Sequence, residues 1–216
     1  MSLRFRLTVL LGLLLPAAAF AAPPAPASAP KAGSDYHVIE GGAPLAPLAG
    51  QVEVVEVFGY WCHHCADFQP KLEAWKRGLP KDVRLTYLPM PSGEDDALAR
   101  GFFASQAAGT LARTHEATYA AIHETGMLPR QPTADEVAAF YGQLGLDAAR
   151  LKSLMDSPAT AARLRPAWEF ATRSGVEGTP TLIVNGRYRI DGGSLDQRLR
   201  VADQLVARER AAARGR

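Results

Sequence analysis

The pattern of apolar positions predicts a strand, a helix and a second strand early in the chain. Val52–Phe58 is rich in β-branched residues and lies between Gly50 and Gly59, which predicts a largely buried strand. Pro70 lies within the next segment and predicts a kink in its helix. Apolar residues at intervals of three and four predict one face of that helix: Cys65, Phe68, Leu72, Trp75 and Leu79. Val83–Leu88 alternates and predicts the second strand, which completes a βαβ unit.

Residues 92–157 carry helix signals and no strong strand signal. Thr133 and Glu136 form a capping box, and Asp147 is a helix N-cap. Four helices are predicted here: from Ser92 to about Ala108, over roughly Arg113–Glu124, from Thr133, and from Asp147 to just before Pro158. This pattern predicts an all-helical insertion at residues 92–157.

The last part of the chain returns to a mixed pattern. Residues 159–173 predict a long helix that ends at Gly175. Thr181–Val184 and Arg187–Ile190 predict two strands joined by Asn185-Gly186, a strong hairpin signal. Ser194 caps a final helix, whose basic end at 207–216 we interpret as a solvated end that frays into a tail. The fold class is therefore α/β, with one domain built from residues 35–91 and 158–216.

The first 34 residues have the composition of an export segment and a linker. Arg4 and Arg6 precede an apolar run from Leu7 and then small residues, which predicts a signal peptide over residues 1–21, cleaved near Ala21. A membrane anchor is the alternative, although the run is shorter than the roughly 20 residues that a spanning helix needs. Residues 22–34 begin with alternating Ala and Pro and predict an extended linker.

Composition and charge narrow the possible functions. The chain has 216 residues, of which 47% are hydrophobic and 21% charged, as expected for a globular protein. Without Arg4 and Arg6, 24 − 2 = 22 basic residues face 22 acidic ones. A nearly neutral mature chain has no electrostatic footprint for nucleic acid, so we expect no nucleic-acid partner.

The two cysteines form a Cys-x-x-Cys motif, Cys62-His63-His64-Cys65, at the start of the first predicted helix. Unpaired backbone N–H groups and the helix dipole stabilise a thiolate at such a position, so we expect Cys62 to be nucleophilic. Cys65 lies one turn deeper on the apolar face. This arrangement is typical of a reversible redox pair, and we expect His64 rather than His63 to tune the thiolate.

Two other interpretations of the motif remain open. A structural disulfide is one, although closing so short a loop stabilises a fold by only roughly 2 kcal/mol. A metal site is the other, although consecutive residues on one helical turn cannot converge tetrahedrally on zinc and the other histidines supply no second pair of ligands. We expect no metal and no cofactor besides the Cys62–Cys65 disulfide.

The sequence resembles the thioredoxin superfamily and, within it, the DsbA-like periplasmic disulfide oxidoreductases. The similarity rests on Glu56–Phe68, on the helical insertion and on Gly178–Tyr188, which contains Thr179 and Pro180. It implies a thioredoxin-like fold for the discontinuous domain. It also implies that Pro180 is a cis proline near both sulfurs and that the backbone of Thr179 binds the substrate. We expect Trp61 to be a third substrate-binding residue.

Glu56 is singled out by the same resemblance, which implies a buried carboxylate that relays the proton of the inner cysteine. A buried lone acid should have a raised pKa, as such a role needs. The alternation of side chains along this strand does not show which face is exposed to solvent, so a solvated carboxylate is the alternative interpretation of Glu56. The chain departs from the family at His63, where Pro is typical, and at Thr179, where Val is usual.

The function that we expect is oxidation of exported proteins in the periplasm by a monomeric thiol:disulfide oxidoreductase. The partners implied are reduced or misoxidised exported proteins and a quinone-linked membrane oxidoreductase of the DsbB kind. Thr179 and His63 keep a reductase or isomerase as an alternative. A peptide-binding chaperone whose cysteines are incidental is a third hypothesis.

Overall fold

A computed structural model describes residues 28–215 of the chain. The predicted signal peptide and the first part of the predicted linker lie outside the described residues. Within 28–215, the chain forms one five-stranded mixed sheet in the order β1-β5-β4-β2-β3, surrounded by helices. No helix in this range combines the length and apolar character needed to cross a membrane.

The predicted βαβ unit is present at the centre of this sheet. Strand β2 covers Val52–Phe58, helix α1 covers His63–Lys76, and strand β3 covers Val83–Pro89, parallel to β2. Every residue of β2 is buried, because it is covered on both faces. Helix α1 runs continuously through Pro70 and ends before Leu79, which lies in the following turn rather than on the predicted helix face.

Five helices lie between β3 and the second half of the sheet: α2 (Ala97–Ala107), α3 (Leu111–His123), α4 (Ala134–Gln143), α5 (Ala148–Met155) and α6 (Pro158–Arg173). The predicted start of the first one is wrong, since residues 92–95 form a loop. Asp96 is the true N-cap. Its carboxylate accepts hydrogen bonds from the Ala99 N–H and from the backbone N–H and hydroxyl of Ser92. The predicted capping box at Thr133 and the cap at Asp147 are confirmed.

The sheet is completed by strands from both ends of the described chain. Strands β4 (Thr181–Val184) and β5 (Tyr188–Ile190) form the predicted hairpin, and Asn185 and Gly186 both have positive φ, as a tight two-residue turn requires. The short strand β1 (His37–Val38), which no sequence pattern indicated, pairs with β5. Helix α7 (Leu195–Arg214) begins at the predicted Ser194 cap.

The basic end of the chain stays helical and is partly anchored. Arg210 Nε donates to Asp82 at 2.8 Å, and the Arg208 guanidinium lies over the rings of Tyr36 and Tyr188. Glu209 is buried and accepts from the Tyr188 hydroxyl at 3.0 Å. Residues 208–210 of α7 therefore pack against the body of the protein, whereas residues 211–215 are exposed, as the predicted solvated end requires.

Candidate functional site

The Cys-x-x-Cys motif lies where the central strand turns into its helix. Strand β2 ends at Phe58, and Cys62 is the N-cap residue of α1, with an extended backbone. The Cys62 N–H donates to the Gly59 carbonyl at 3.0 Å and closes the turn. A Cβ on Gly59 would meet the Trp61 indole at 2.7 Å, so glycine lets this ring lie against the turn while 40% of it stays exposed.

The two sulfurs have opposite electrostatic environments. Both cysteines are free thiols, so this is the reduced form. The pKa of Cys62 is lowered to about 5, first by hydrogen bonding with Cys65, then with Thr179 and with the backbone N–H groups of Cys65 and His64. Burial raises the pKa of Cys65 well above its usual range. At neutral pH the outer sulfur is a thiolate and the inner one a protonated thiol, as the motif predicted.

The two histidines of the motif both point toward solvent. His63 is paired with Asp67, one turn along α1, at 3.3 Å between Nε2 and Oδ2. His64 contributes to the low Cys62 pKa through its backbone N–H. Tuning of the thiolate by the His64 imidazole stays a prediction, because within residues 28–215 that ring makes no hydrogen bond to Cys62.

Thr179 and Pro180 lie beside the reactive sulfur, although they are distant in sequence. The Thr179–Pro180 peptide bond is cis, and Cys62 Sγ lies 3.3 Å from the Thr179 carbonyl oxygen, to which its protonated form donates, across 117 residues. Antiparallel pairing of β4 with β2 brings them together, because Thr181 is opposite Val57. The Thr181 hydroxyl donates to the Gly178 carbonyl at 2.7 Å, and a guanidinium N–H of Arg198 donates to the Pro180 carbonyl.

Glu56 is completely buried beneath this turn. Its two carboxylate oxygens have no hydrogen-bond partner within residues 28–215. It is paired with Tyr87 of β3 and Leu182 of β4 in the sheet register. Its pKa is raised to about 8, first by burial and then by the negative charges of Cys62 and Glu73. The alternative of a solvated acid is therefore wrong, since both faces of β2 are covered.

Three residues near the turn were not recognised as site residues from the sequence. The Tyr60 hydroxyl is 2.7 Å from His115 Nδ1, and the His123 Nε2–H donates to the Tyr60 carbonyl at 2.7 Å. Burial lowers the pKa of His115 to about 3, so the ring is neutral. Both histidines come from α3, and no local pattern could have indicated contacts across about 60 residues.

Metal ligation was one alternative for the motif. Between residues 28 and 215, no group of three or more His, Cys, Asp or Glu side chains is arranged to hold an ion. The geometry of the motif itself favours sulfur chemistry, because Cys62 and Cys65 interact with each other and the imidazoles of His63 and His64 point outward. The pair is suited to exchange between a dithiol and a disulfide.

Comparisons with known proteins agree with this geometry. The family model of the DSBA-like thioredoxin domain matches residues 53–201. The chain is 35% identical to the thiol:disulfide interchange protein DsbA of Pseudomonas syringae pv. tomato, over 85% of this chain and 86% of the relative. Among solved structures, oxidoreductase DsbA from Xylella fastidiosa is 43% identical, with a TM-score of 0.82 over 85% of this chain and all of that one. Pseudomonas aeruginosa DsbA is 33% identical, with a TM-score of 0.78, covering 85% and 96%.

Proposed function

This chain belongs to the DSBA-like thioredoxin domain family and is a thiol:disulfide oxidoreductase, and on this premise we propose that it oxidises exported proteins through Cys62 and Cys65. The observation that favours oxidation of clients over their reduction is the low pKa of Cys62, about 5. At pH 7 such a group holds roughly 100 thiolates for each thiol. A stabilised thiolate favours the reduced enzyme, which makes the disulfide a strong oxidant.

The reaction consists of two thiolate attacks. A client thiolate attacks Cys62 Sγ, the Cys62–Cys65 bond breaks, and a mixed disulfide between the client and Cys62 forms. A second client thiolate attacks the client sulfur of that bond, and the Cys62 thiolate leaves with the electron pair. The client gains a disulfide, and the enzyme is left as the dithiol seen in this structure.

Glu56 supplies the proton that the first step requires. Cys65 leaves as a thiolate inside the protein, where its high pKa makes the charge costly. Glu56 has a pKa of about 8 and is largely protonated at neutral pH, so it can protonate the leaving sulfur. Its lack of hydrogen-bond partners keeps its proton available.

Client binding is assigned to the surface around the reactive sulfur. Thr179 offers backbone groups to an extended client segment, Pro180 shapes that loop, and the half-exposed Trp61 ring supplies apolar contact on the other side of Cys62. His63 and His64 lie at the open rim. The domain boundaries at 35–91, 92–157 and 158–216 belong to the same proposal, with the helical segment supporting the turn through α3.

The cellular setting follows from this chemistry. We place the mature chain in the periplasm as a monomer, with reduced or misoxidised exported proteins as clients. A quinone-linked membrane oxidoreductase of the DsbB kind would reoxidise it, because each turnover leaves a dithiol. The redox-active disulfide is the only redox group that the reaction needs.

A redox titration against glutathione tests whether the protein oxidises its clients or reduces them. DsbA-type oxidants have potentials of about −120 mV, whereas that of thioredoxin is about −270 mV. We expect this protein to titrate close to the oxidant value. A potential as reducing as that of thioredoxin would exclude the oxidase role.

A reductase or isomerase is the second candidate, favoured by His63 and Thr179, which depart from the family pattern. Such an enzyme must be kept reduced, so membranes that contain a DsbB-type oxidoreductase should leave it as the dithiol. We expect rapid reoxidation instead. The Cys62→Ser variant should abolish activity on clients, which separates both enzymes from a chaperone.

A further inference from the structure

Arg198 connects the last helix to the loop that faces the reactive sulfur. It lies in the first turn of α7 and is only partly exposed. One guanidinium N–H donates to the Pro180 carbonyl, and Nε donates to the Gly192 carbonyl at 3.3 Å. The two bonds join the start of α7 to the cis-proline loop and to the loop after β5.

The bond to Pro180 places Arg198 one residue from the contact with Cys62. Thr179 precedes Pro180, and its carbonyl is 3.3 Å from Cys62 Sγ. The inner side of the loop is held by the Thr181 hydroxyl on Gly178, so Arg198 supplies the anchor on the α7 side. A change at Arg198 therefore acts on the loop that meets both Cys62 and the client.

The positive charge of Arg198 also interacts electrostatically with the reactive sulfur. Burial lowers the pKa of this guanidinium, and the negative charges of Asp191 and Cys62 counteract the effect. An arginine stays protonated at any physiological pH, so the cation is permanent. Because Arg198 is only partly exposed, its attraction for an anion at Cys62 is screened less than that of a fully exposed cation.

We propose that Arg198 is a positioning residue for thiol–disulfide exchange: it holds the cis-proline loop in its client-binding conformation and favours the Cys62 thiolate by its charge. This inference rests on the proposed function of Cys62 and adds a residue that the motif does not contain. It assigns the loop anchor to the hydrogen-bond donors of Arg198 and the thiolate effect to its positive charge.

Other titratable groups near Cys62 could also affect a titration of its thiol. From α1 they are Cys65, His63 and His64; from β2, Glu56; and from α3, Tyr119. Burial keeps Cys65 and Tyr119 neutral, whereas Glu56 ionises near pH 8. A shift of the Cys62 titration around pH 5 is therefore separate from the ionisation of Glu56.

Three substitutions separate charge from hydrogen bonding. Arg198→Lys keeps the charge, Arg198→Gln keeps an N–H donor without charge, and Arg198→Met removes both. Arg200→Gln, two residues along α7 on an exposed side chain, is the matched control. Thiolate absorbance of the reduced protein against pH gives the Cys62 pKa. We expect the Cys62 pKa to rise by about half a unit in Arg198→Gln and Arg198→Met and to change little in Arg198→Lys. It should not change in the Arg200→Gln control.

The loop function is read from the kinetics with a cysteine-containing peptide as the client. We expect Arg198→Met to raise KM about threefold or more, with partial recovery in the Lys and Gln variants and no change in Arg200→Gln. Melting curves confirm that each variant is folded. If Arg198→Met does not fold, the Lys and Gln variants still separate the two functions.

The proposal is overturned if the folded Gln variant titrates like the parent and the Met or Lys variant has an unchanged KM. That result would leave the oxidase function intact, because the wild-type redox potential tests it independently. Conversely, a thioredoxin-like potential with shifted Cys62 titration in the variants would exclude oxidation while supporting the role of Arg198.

Discussion

Cys62 and Cys65, three positions apart on one helix, experience opposite environments. Cys62 is the N-cap residue and receives hydrogen bonds from backbone N–H groups that have no partner within the helix. Cys65 is fully buried on the apolar face, where ionisation is penalised. One helical turn therefore creates a difference in acidity that makes one sulfur the nucleophile and the other the resolving thiol.

The titration of Cys62 is the first prediction at this scale. Its pKa in the reduced folded state is about 5, below its ordinary value. The lowered pKa stabilises the reduced fold above the unfolded pKa of about 8.5, and this contribution is lost as the pH falls through 5. We expect a thiolate absorbance midpoint near pH 5, absent in Cys62→Ser. A midpoint near that of a free thiol would contradict the mechanism.

Glu56 gives a second prediction, in which the contribution to stability is lost as the pH rises rather than as it falls. Its folded pKa, about 8, is raised, so the native state holds a proton that the unfolded state releases above about pH 4.3. Its contribution to stability is therefore lost as the pH rises toward 8. In urea denaturation of the reduced form, Glu56→Gln should gain stability relative to the wild type between pH 5 and pH 8. The exposed Glu116→Gln should show no such gain.

Helix termini and strand ends decide how the elements build the site. Strand β2 delivers Glu56 beneath the turn and Cys62 to the helix start, and β4 delivers Pro180 to the same end of the sheet. Helix α3 contacts the turn through His123. The local caps at Asp96, Thr133, Asp147, Ser157 and Ser194 define where five helices begin.

The capping box of α4 supplies the prediction for this scale. The Thr133 hydroxyl accepts the Glu136 N–H at 3.2 Å, and Glu136 accepts the Thr133 N–H at 2.7 Å. Thr133→Ala should lower the free energy of unfolding by about 1 kcal/mol, because it leaves a helix N–H unpaired. Urea denaturation measures this loss, with the exposed Thr172→Ala of α6 as the control. The redox potential should not change.

The whole molecule is held together by a core that both halves share. One apolar cluster contains Val55, Val57 and Phe58 of β2 together with Phe102 of α2 and Tyr119 of α3. The bond between Tyr60 and His115 crosses the same boundary. Because these side chains are buried together, the helical segment and the sheet should not unfold separately.

Tyr60→Phe tests this coupling. The substitution leaves His115 Nδ1 without its partner in a site where Nε2 already lacks one, which should cost about 1–3 kcal/mol. Near-ultraviolet and far-ultraviolet circular dichroism should still report a single transition in urea, shifted to lower denaturant. Two separated transitions would show that the helical segment is an independent unit.

Long-range contacts account for what the sequence patterns did not predict. Strand β1 has only two residues and depends on pairing with β5, so it leaves no periodic signal. The start of α2 was placed too early because Ser92 resembles a cap, whereas its hydroxyl donates to Asp96, the actual N-cap. Arg198 and His123 have no local signature and become part of the site only through tertiary contacts.

The sequence by itself determined the features that depend on neighbours within about one helical turn. These are the caps, the Asn185–Gly186 hairpin, the βαβ unit and an acidic Cys62 at a helix start. Tertiary structure alone decided that Glu56 is buried without partners, that Thr179 faces Cys62 and that Arg198 holds the loop beside it. The reason is physical: local conformation follows from short-range sterics and hydrogen bonding, whereas burial and the approach of distant charges exist only once the sheet has assembled.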